Sequence, residues 1–119
     1  MTLLVAALLT ICAPVQRNNC VVDGDTLWLA GEKIRLEDID APEISEPKCA
    51  SEQALGERAK LRLLELVNSV PVTLVMNGRD RDRYGRELRI VMVNGRSVGD
   101  ELVREGLARK WDGARHPWC

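Results

Sequence analysis

A chain of 119 residues, 45% of them hydrophobic, can bury one real core and is too short for two domains. Only 3% of the residues are aromatic, so aliphatic side chains must fill the interior. A net charge of -1 excludes the broadly basic surface by which many nucleic-acid binders hold their ligand.

The chain opens on "MTLLVAALLTICA", apolar from Leu3 to Ala13. Such a run is shorter than the ~20 residues that span a bilayer and matches the ~7–15 of a signal-peptide core. No Lys or Arg precedes it, and Ile11 stands where a cleavage site, or a lipidated Cys12, wants a small residue. Residues 1–13 read as an apolar leader or as a buried leading strand, with 14–119 as the domain. Neither reading includes stable insertion in a membrane.

Cys12, Cys20, Cys49 and Cys119 form an even set without a C-x-x-C pair, and His116 is the single histidine. That argues against zinc and for disulfides. Three pairings are open; Cys20 with Cys49 would pin a loop to the first strand. Disulfides favour export, periplasmic or secreted, over a cytoplasmic chain with four reduced thiols.

Three strands are then expected. "QRNNCVV" ends in a β-branched pair, "TLWLA" alternates Leu27 and Leu29 against Thr26 and Trp28, and "KIRLEDI" alternates Ile34 and Leu36 against Lys33, Arg35 and Glu37. Ala30-Gly31-Glu32 turns the chain between the second and third. After "DAPE", Ser51 is the expected N-cap of a helix in which Leu55, Ala59, Leu63, Leu66, Val67 and Val70 face a core, ended by Pro71. "VTLVM" and "RELRIVMV" are a fourth and fifth strand, the latter with Leu88, Ile90 and Met92 on one face. Asn94-Gly95 marks a tight turn, and a short helix follows over "SVGDELVREG". This order predicts a mainly β, α+β domain: a five-stranded barrel with two helices packed on it.

Charge is distributed unevenly along that frame. From Asp23 to Glu57 ten acidic residues meet only Lys33, Arg35 and Lys48, a balance of -7, which leaves +6 on the rest. Much of the excess lies in "GRDRDRYGRELR". An acidic cluster opposite an arginine-rich segment suits a site that holds a cation and a polyanion together.

"VVDGDT" sets Asp25 at the start of the second strand, and Asp40 follows the third, so antiparallel pairing can bring both carboxylates close. Two adjacent carboxylates repel unless a cation lies between them. Oxygen donors without histidine or thiolate favour Ca2+ or Mg2+, and Ca2+ tolerates the irregular shells that loops supply. The EF-hand pattern is absent. Pro42 biases Ala41 toward an extended conformation, which turns its carbonyl toward such an ion, and Glu43 is placed to act on water or, alternatively, to pair with Lys48. Arg35 and Arg86 offer planar forks that match phosphate oxygens; Arg86 pairing with Asp82 or Glu87 is the alternative.

In this order and spacing, "VVDGDT", "IRLEDIDAPE", "DRYGR" and "LVREGLA" resemble the staphylococcal nuclease (thermonuclease) family over about residues 17 to 110. The resemblance implies an OB-fold barrel and a Ca2+-dependent endonuclease acting on DNA and RNA, giving 3′-phosphate and 5′-hydroxyl products, expected here as a monomer. It places the family's metal-binding carboxylates on Asp25 and Asp40, its main-chain ligand on Ala41 (usually threonine), its catalytic glutamate on Glu43 and its phosphate-binding arginines on Arg35 and Arg86. Arg83 and Tyr84 fall at substrate-contacting positions.

The family's third helix and pocket tyrosines are replaced by "KWDGARHPWC". Trp111 there either stacks on a base or packs with Trp118 as a closing tail that Cys119 ties down. Some domains of this fold are catalytically silent modules that bind nucleic acid or peptides. Such a module is expected to lack some of Asp25, Arg35, Asp40, Glu43 and Arg86, and none is missing here.

Overall fold

The computed structural model describes residues 2–5, 8–15 and 17–119. The leader reading of 1–13 and the strand expected from Gln16 extend onto residues 1, 6, 7 and 16, which lie outside the described residues. Two short strands come first, β1 (Thr2–Val5) and β2 (Thr10–Ile11). Between them Leu9 enters the core, its amide and carbonyl both bound by the Asn68 side chain at 2.8 and 2.9 Å.

The alternating segments form a meander of β3 (Cys20–Asp23), β4 (Thr26–Leu29) and β5 (Glu32–Leu36). Ala30 and Gly31 both take positive φ, 51° and 79°, the geometry of a two-residue hairpin whose twist matches the strands it joins. Val21, Leu27, Ile34 and Leu36 are fully buried. Each such aliphatic side chain contributes ~1.5–3 kcal/mol on leaving water.

Past a two-residue strand β6 (Ile39–Asp40) comes helix α1 (Ala50–Ser69). Its N-cap is Cys49 and not the expected Ser51, and no side chain bonds the cap. The buried stripe is Glu52, Gly56, Ala59, Leu63 and Val67, while Leu55 and Leu66 are only partly covered and Val70 lies beyond the last turn in extended conformation. Two small residues in that stripe let the helix approach closely, a point the site depends on.

The remaining elements are β7 (Val72–Val75), β8 (Glu87–Val93), β9 (Arg96–Ser97), helix α2 (Val98–Arg104) and β10 (Arg109–Lys110). Asn94 and Gly95, at φ 53° and 74°, make the predicted tight turn. In β8 the fully buried side chain is Val91, on the face opposite Leu88, Ile90 and Met92. Ser97 caps α2 by accepting from the Asp100 amide at 3.1 Å.

The result is a mixed α+β fold of two helices on a multistranded sheet, with β3, β4, β5, β7 and β8 as the five strands the pattern marked. The sheet runs β1-β7-β8-β5-β4-β3-β2, with β9 beside β8; β10 pairs β6 separately. Among the described residues the path has two ends, and no hydrogen-bonded pairing closes it into a ring. The β5–β8 pair is parallel, with Arg35 opposite Leu88, which sets the acidic meander beside the arginine-rich segment.

Candidate active site

The site starts from Gly24. A Cβ there would lie 2.7 Å from the Ala59 Cβ and 2.8 Å from the Ala41 Cβ, so only glycine lets the β3–β4 corner touch both α1 and the segment after β6. Asp25 is thereby pressed against that segment: its Oδ2 accepts from the Ala41 amide at 2.9 Å and its Oδ1 from the Thr26 hydroxyl at 3.2 Å. Asp40 is placed by the pairing of β6 with β10, opposite Arg109.

Arg35 lies between the two carboxylates and is 7% exposed. Its Nη1 donates to the carbonyls of Leu36 and Ile39, which fixes the guanidinium and leaves Nη2 at 3.6 Å from Asp25 and 4.0 Å from Asp40. On the outer side its guanidinium carbon lies 5.8 Å from the centre of the Trp111 ring.

The acidic corner is under electrostatic load. Burial, then the neighbouring Asp25 carboxylate, pushes Asp23 from 3.8 up to about 8. Burial also raises Asp40 above the usual carboxylate range, opposed by Arg115 and Arg35. The Oδ1 of Asp40 is buried without a hydrogen-bond partner. Among the described residues no three His, Cys, Asp or Glu side chains are grouped so as to hold a metal ion. A donor set of two carboxylates and a main-chain carbonyl nevertheless fits a hard divalent cation, and Asp40 Oδ1, which has only the long approaches of Arg35 and Arg115 at 4.0 and 3.9 Å and no hydrogen bond, is an acceptor such an ion satisfies.

Glu43 is held from behind by a residue that the sequence reading left unassigned. The Glu52 carboxylate, buried in the first turn of α1, accepts from the Glu43 amide at 3.2 Å and from the Lys48 amide at 2.7 Å. A Cβ on Gly56 would come within 2.9 Å of the Pro42 carbonyl and 3.2 Å of the Glu43 carbonyl, so the helix backs directly onto this loop. The Glu43 side chain pairs with Arg115, and not with Lys48. Arg115 also stands 3.9 Å from Asp40.

Beside this corner opens a cleft of about 740 Å³ whose lining includes Arg35, Arg79, Arg83, Arg86 and Arg115 with Tyr84 and Trp111. The loop from 79 to 86 is built on Asp82, which accepts from the amides of Tyr84 and Arg86 at 2.9 and 3.0 Å and from Arg86 Nε at 2.7 Å. Burial alone would raise Asp82; the bonds from Arg86 and Tyr84 outweigh it and hold the carboxylate below its usual range. Arg86 is thus paired with Asp82 while facing the cleft. Arg83 lies over the Tyr84 ring at 4.9 Å and donates to its hydroxyl at 2.7 Å. Arg89, nearly buried, ties the loop to β8 through Asp80 at 2.7 Å.

Asp25, Arg35, Asp40, Ala41 and Glu43 therefore converge, with Arg83, Tyr84 and Arg86 along the adjoining cleft. The disulfides differ from the one pairing singled out: Cys20 bonds Cys12, eight residues away, and Cys49 bonds Cys119. Cys20 with Cys49 is ruled out by these partners. Cys119 ties the tail to the start of α1, Arg109 stacks on Trp118 at 3.8 Å, and Trp111, itself exposed, lies beside Arg35. Two disulfides suit an oxidising environment. No helix among the described residues is long and apolar enough to cross a membrane.

Residues 33–117 match the family described as staphylococcal nuclease homologue. The chain is 43% identical over 93 residues to endonuclease YncB of Bacillus subtilis, an alignment covering 74% of this chain and 44% of that protein. It is likewise 43% identical over 93 residues to the SPbeta prophage-derived endonuclease YokF of the same organism, covering 31% of it. An uncharacterized endonuclease of Haemophilus influenzae is 36% identical over 115 residues, 89% of this chain and 59% of that protein. The chain thus spans between 31% and 59% of the length of these relatives.

Proposed function

The chain belongs to the staphylococcal nuclease family, and from that premise we propose that it is a nuclease hydrolysing phosphodiester bonds of DNA and RNA with a divalent cation, calcium, as cofactor. The observation that carries this reading is the convergence of Asp25, Asp40, Glu43 and Arg35 on one corner that adjoins an arginine-lined cleft. Three relatives bear the name endonuclease, which supports the same reaction class.

Asp25, Asp40 and the Ala41 carbonyl would hold the calcium ion, which when bound polarises a phosphoryl oxygen. Glu43 takes the proton of the attacking water; its main chain is fixed by Glu52, so its carboxylate is presented from a rigid base. Arg35 and Arg86 neutralise the charge that gathers on the phosphoryl oxygens as the bond to the leaving group breaks. Arg83 and Tyr84 contact the neighbouring part of the strand. Products ending in 3′-phosphate and 5′-hydroxyl complete the proposal, together with export of the protein, which the two disulfides favour.

Because contact with nucleic acid rests on a few arginines and not on a basic surface, affinity falls only modestly with salt. Digestion of single-stranded DNA with calcium and with chelator tests the proposal. Cleavage that chelator abolishes, with phosphate recovered on the 3′ ends, is the expected result. Binding without cleavage would show a silent module instead.

A further inference from the structure

We propose that Arg115 is a positioning residue for Glu43, carried there by a C-terminal tail that the Cys49–Cys119 disulfide closes over the site. This inference rests on the nuclease reading of Glu43.

The tail has fastenings of its own. The Trp111 amide donates to the Asp38 carbonyl at 2.9 Å, Asp112 pairs with the His116 ring at 2.8 Å, and Arg109 donates to the Pro117 carbonyl at 2.8 Å while stacking on Trp118. Cys119 is then bonded to Cys49, 70 residues earlier. Between these anchors lies Arg115, whose two terminal nitrogens divide between Glu43 and Asp40.

The disulfide joins two supports of one residue. Cys49 is the N-cap of α1, and three residues into the helix chain Glu52 holds the Glu43 amide. Cys119 ends the tail that brings Arg115 to the Glu43 carboxylate. Main chain and side chain of Glu43 are therefore gripped by elements that meet at a single covalent bond.

The contact has little structural value. The Arg115 side chain is 52% exposed, and an ion pair so open to water contributes little to folding. What it supplies is direction: a planar fork reaches both carboxylates at once, which a lysine cannot do. Glu43 is kept turned toward Asp40, where the reacting phosphate would lie, and a small displacement of a reacting group is costly in rate.

The test is steady-state cleavage of single-stranded DNA in calcium by the parent, Arg115→Ala, Arg115→Lys, Cys119→Ser, Glu43→Gln and the double variant Arg115→Ala with Glu43→Gln. Circular dichroism confirms that each is folded. Arg115→Ala is expected to lose on the order of 10²-fold in kcat with KM little changed. Arg115→Lys recovers part of that loss, and Cys119→Ser follows in the same direction. The double variant is no slower than Glu43→Gln alone, because Arg115 acts through Glu43.

Losses that multiply in the double variant, a rise in KM alone, or full activity in folded Arg115→Ala would each overturn the proposal, while an impaired Glu43→Gln left the nuclease reading standing. Parent and Glu43→Gln equally active would remove that reading, and this inference with it.

Discussion

Asp25 Oδ2 accepts a hydrogen bond from the Ala41 amide at 2.9 Å, joining the end of one strand turn to the segment that carries Asp40 and Glu43. The contact exists because α1 drives both segments together at Gly24 and Ala59. A side chain at Gly24 must push one of them away. Gly24→Ala is therefore expected to lose ~1–3 kcal/mol of stability, the usual cost of overpacking a tight contact. Thermal unfolding measures it; an unchanged melting temperature would mean the corner yields freely.

Glu52 acts on the site from inside the helix. The Lys48 amide, with a second bond from the Glu43 amide, holds its carboxylate below the usual range despite burial. A carboxylate whose folded value is depressed contributes stability that is complete above its unfolded value and is lost as pH falls through the folded one. Glu52→Gln should flatten the acid limb of the melting profile and lower kcat while leaving KM nearly unchanged. An acid limb as steep as the parent's would contradict this role.

Asp23 carries the opposite sign. Its folded value of about 8 lies above the ordinary 3.8, so between them the unfolded chain gives up a proton that the folded chain keeps. Stability consequently falls as pH rises through that window, and the whole cost is present above about 8. Asp23→Asn carries no such proton. In chelator it is expected to melt higher than the parent at alkaline pH and to show a flatter profile; equal profiles would mean Asp23 is not loaded by its neighbours.

The Cys49–Cys119 bond closes a loop over 70 residues of sequence separation. Loops of that size give a disulfide ~2–4 kcal/mol of stabilisation, mainly by restricting the unfolded chain. Cys119→Ser should show that loss in chemical denaturation. A midpoint that does not move would indicate a tail held by Arg109 and Trp118 alone.

The legible part of this molecule is the part governed by short-range pattern. A β-branched pair marks β3 and alternation marks β4 and β5, and their hairpin pairing is enough to set Arg35 near Asp25 and Asp40. Asn94-Gly95 needs only its own φ preference to declare a turn. Arg115 carried no such signal: its partner Glu43 is 72 positions away, and the disulfide that delivers it is one of three pairings that sequence alone leaves equal.

Glu52 was hidden differently. It occupies the buried stripe of α1, where periodicity expects an apolar residue, because the two amides that satisfy it come from a loop outside the helix. The N-cap differs as well: Ser51 has the right chemistry, but the cap falls two residues earlier, on the disulfide-bonded Cys49. Arg89 explains the face of β8, since a buried guanidinium satisfied by Asp80 shares the inward side with Val91.

Calorimetric titration with calcium, on the parent and on Asp40→Asn, bears most directly on the claim that Asp25 and Asp40 share one cation. One ion taken up per chain by the parent, with uptake lost or strongly weakened in a folded Asp40→Asn, is the predicted result. Equal uptake by both proteins, or none by the parent even with a nucleotide present, would contradict it.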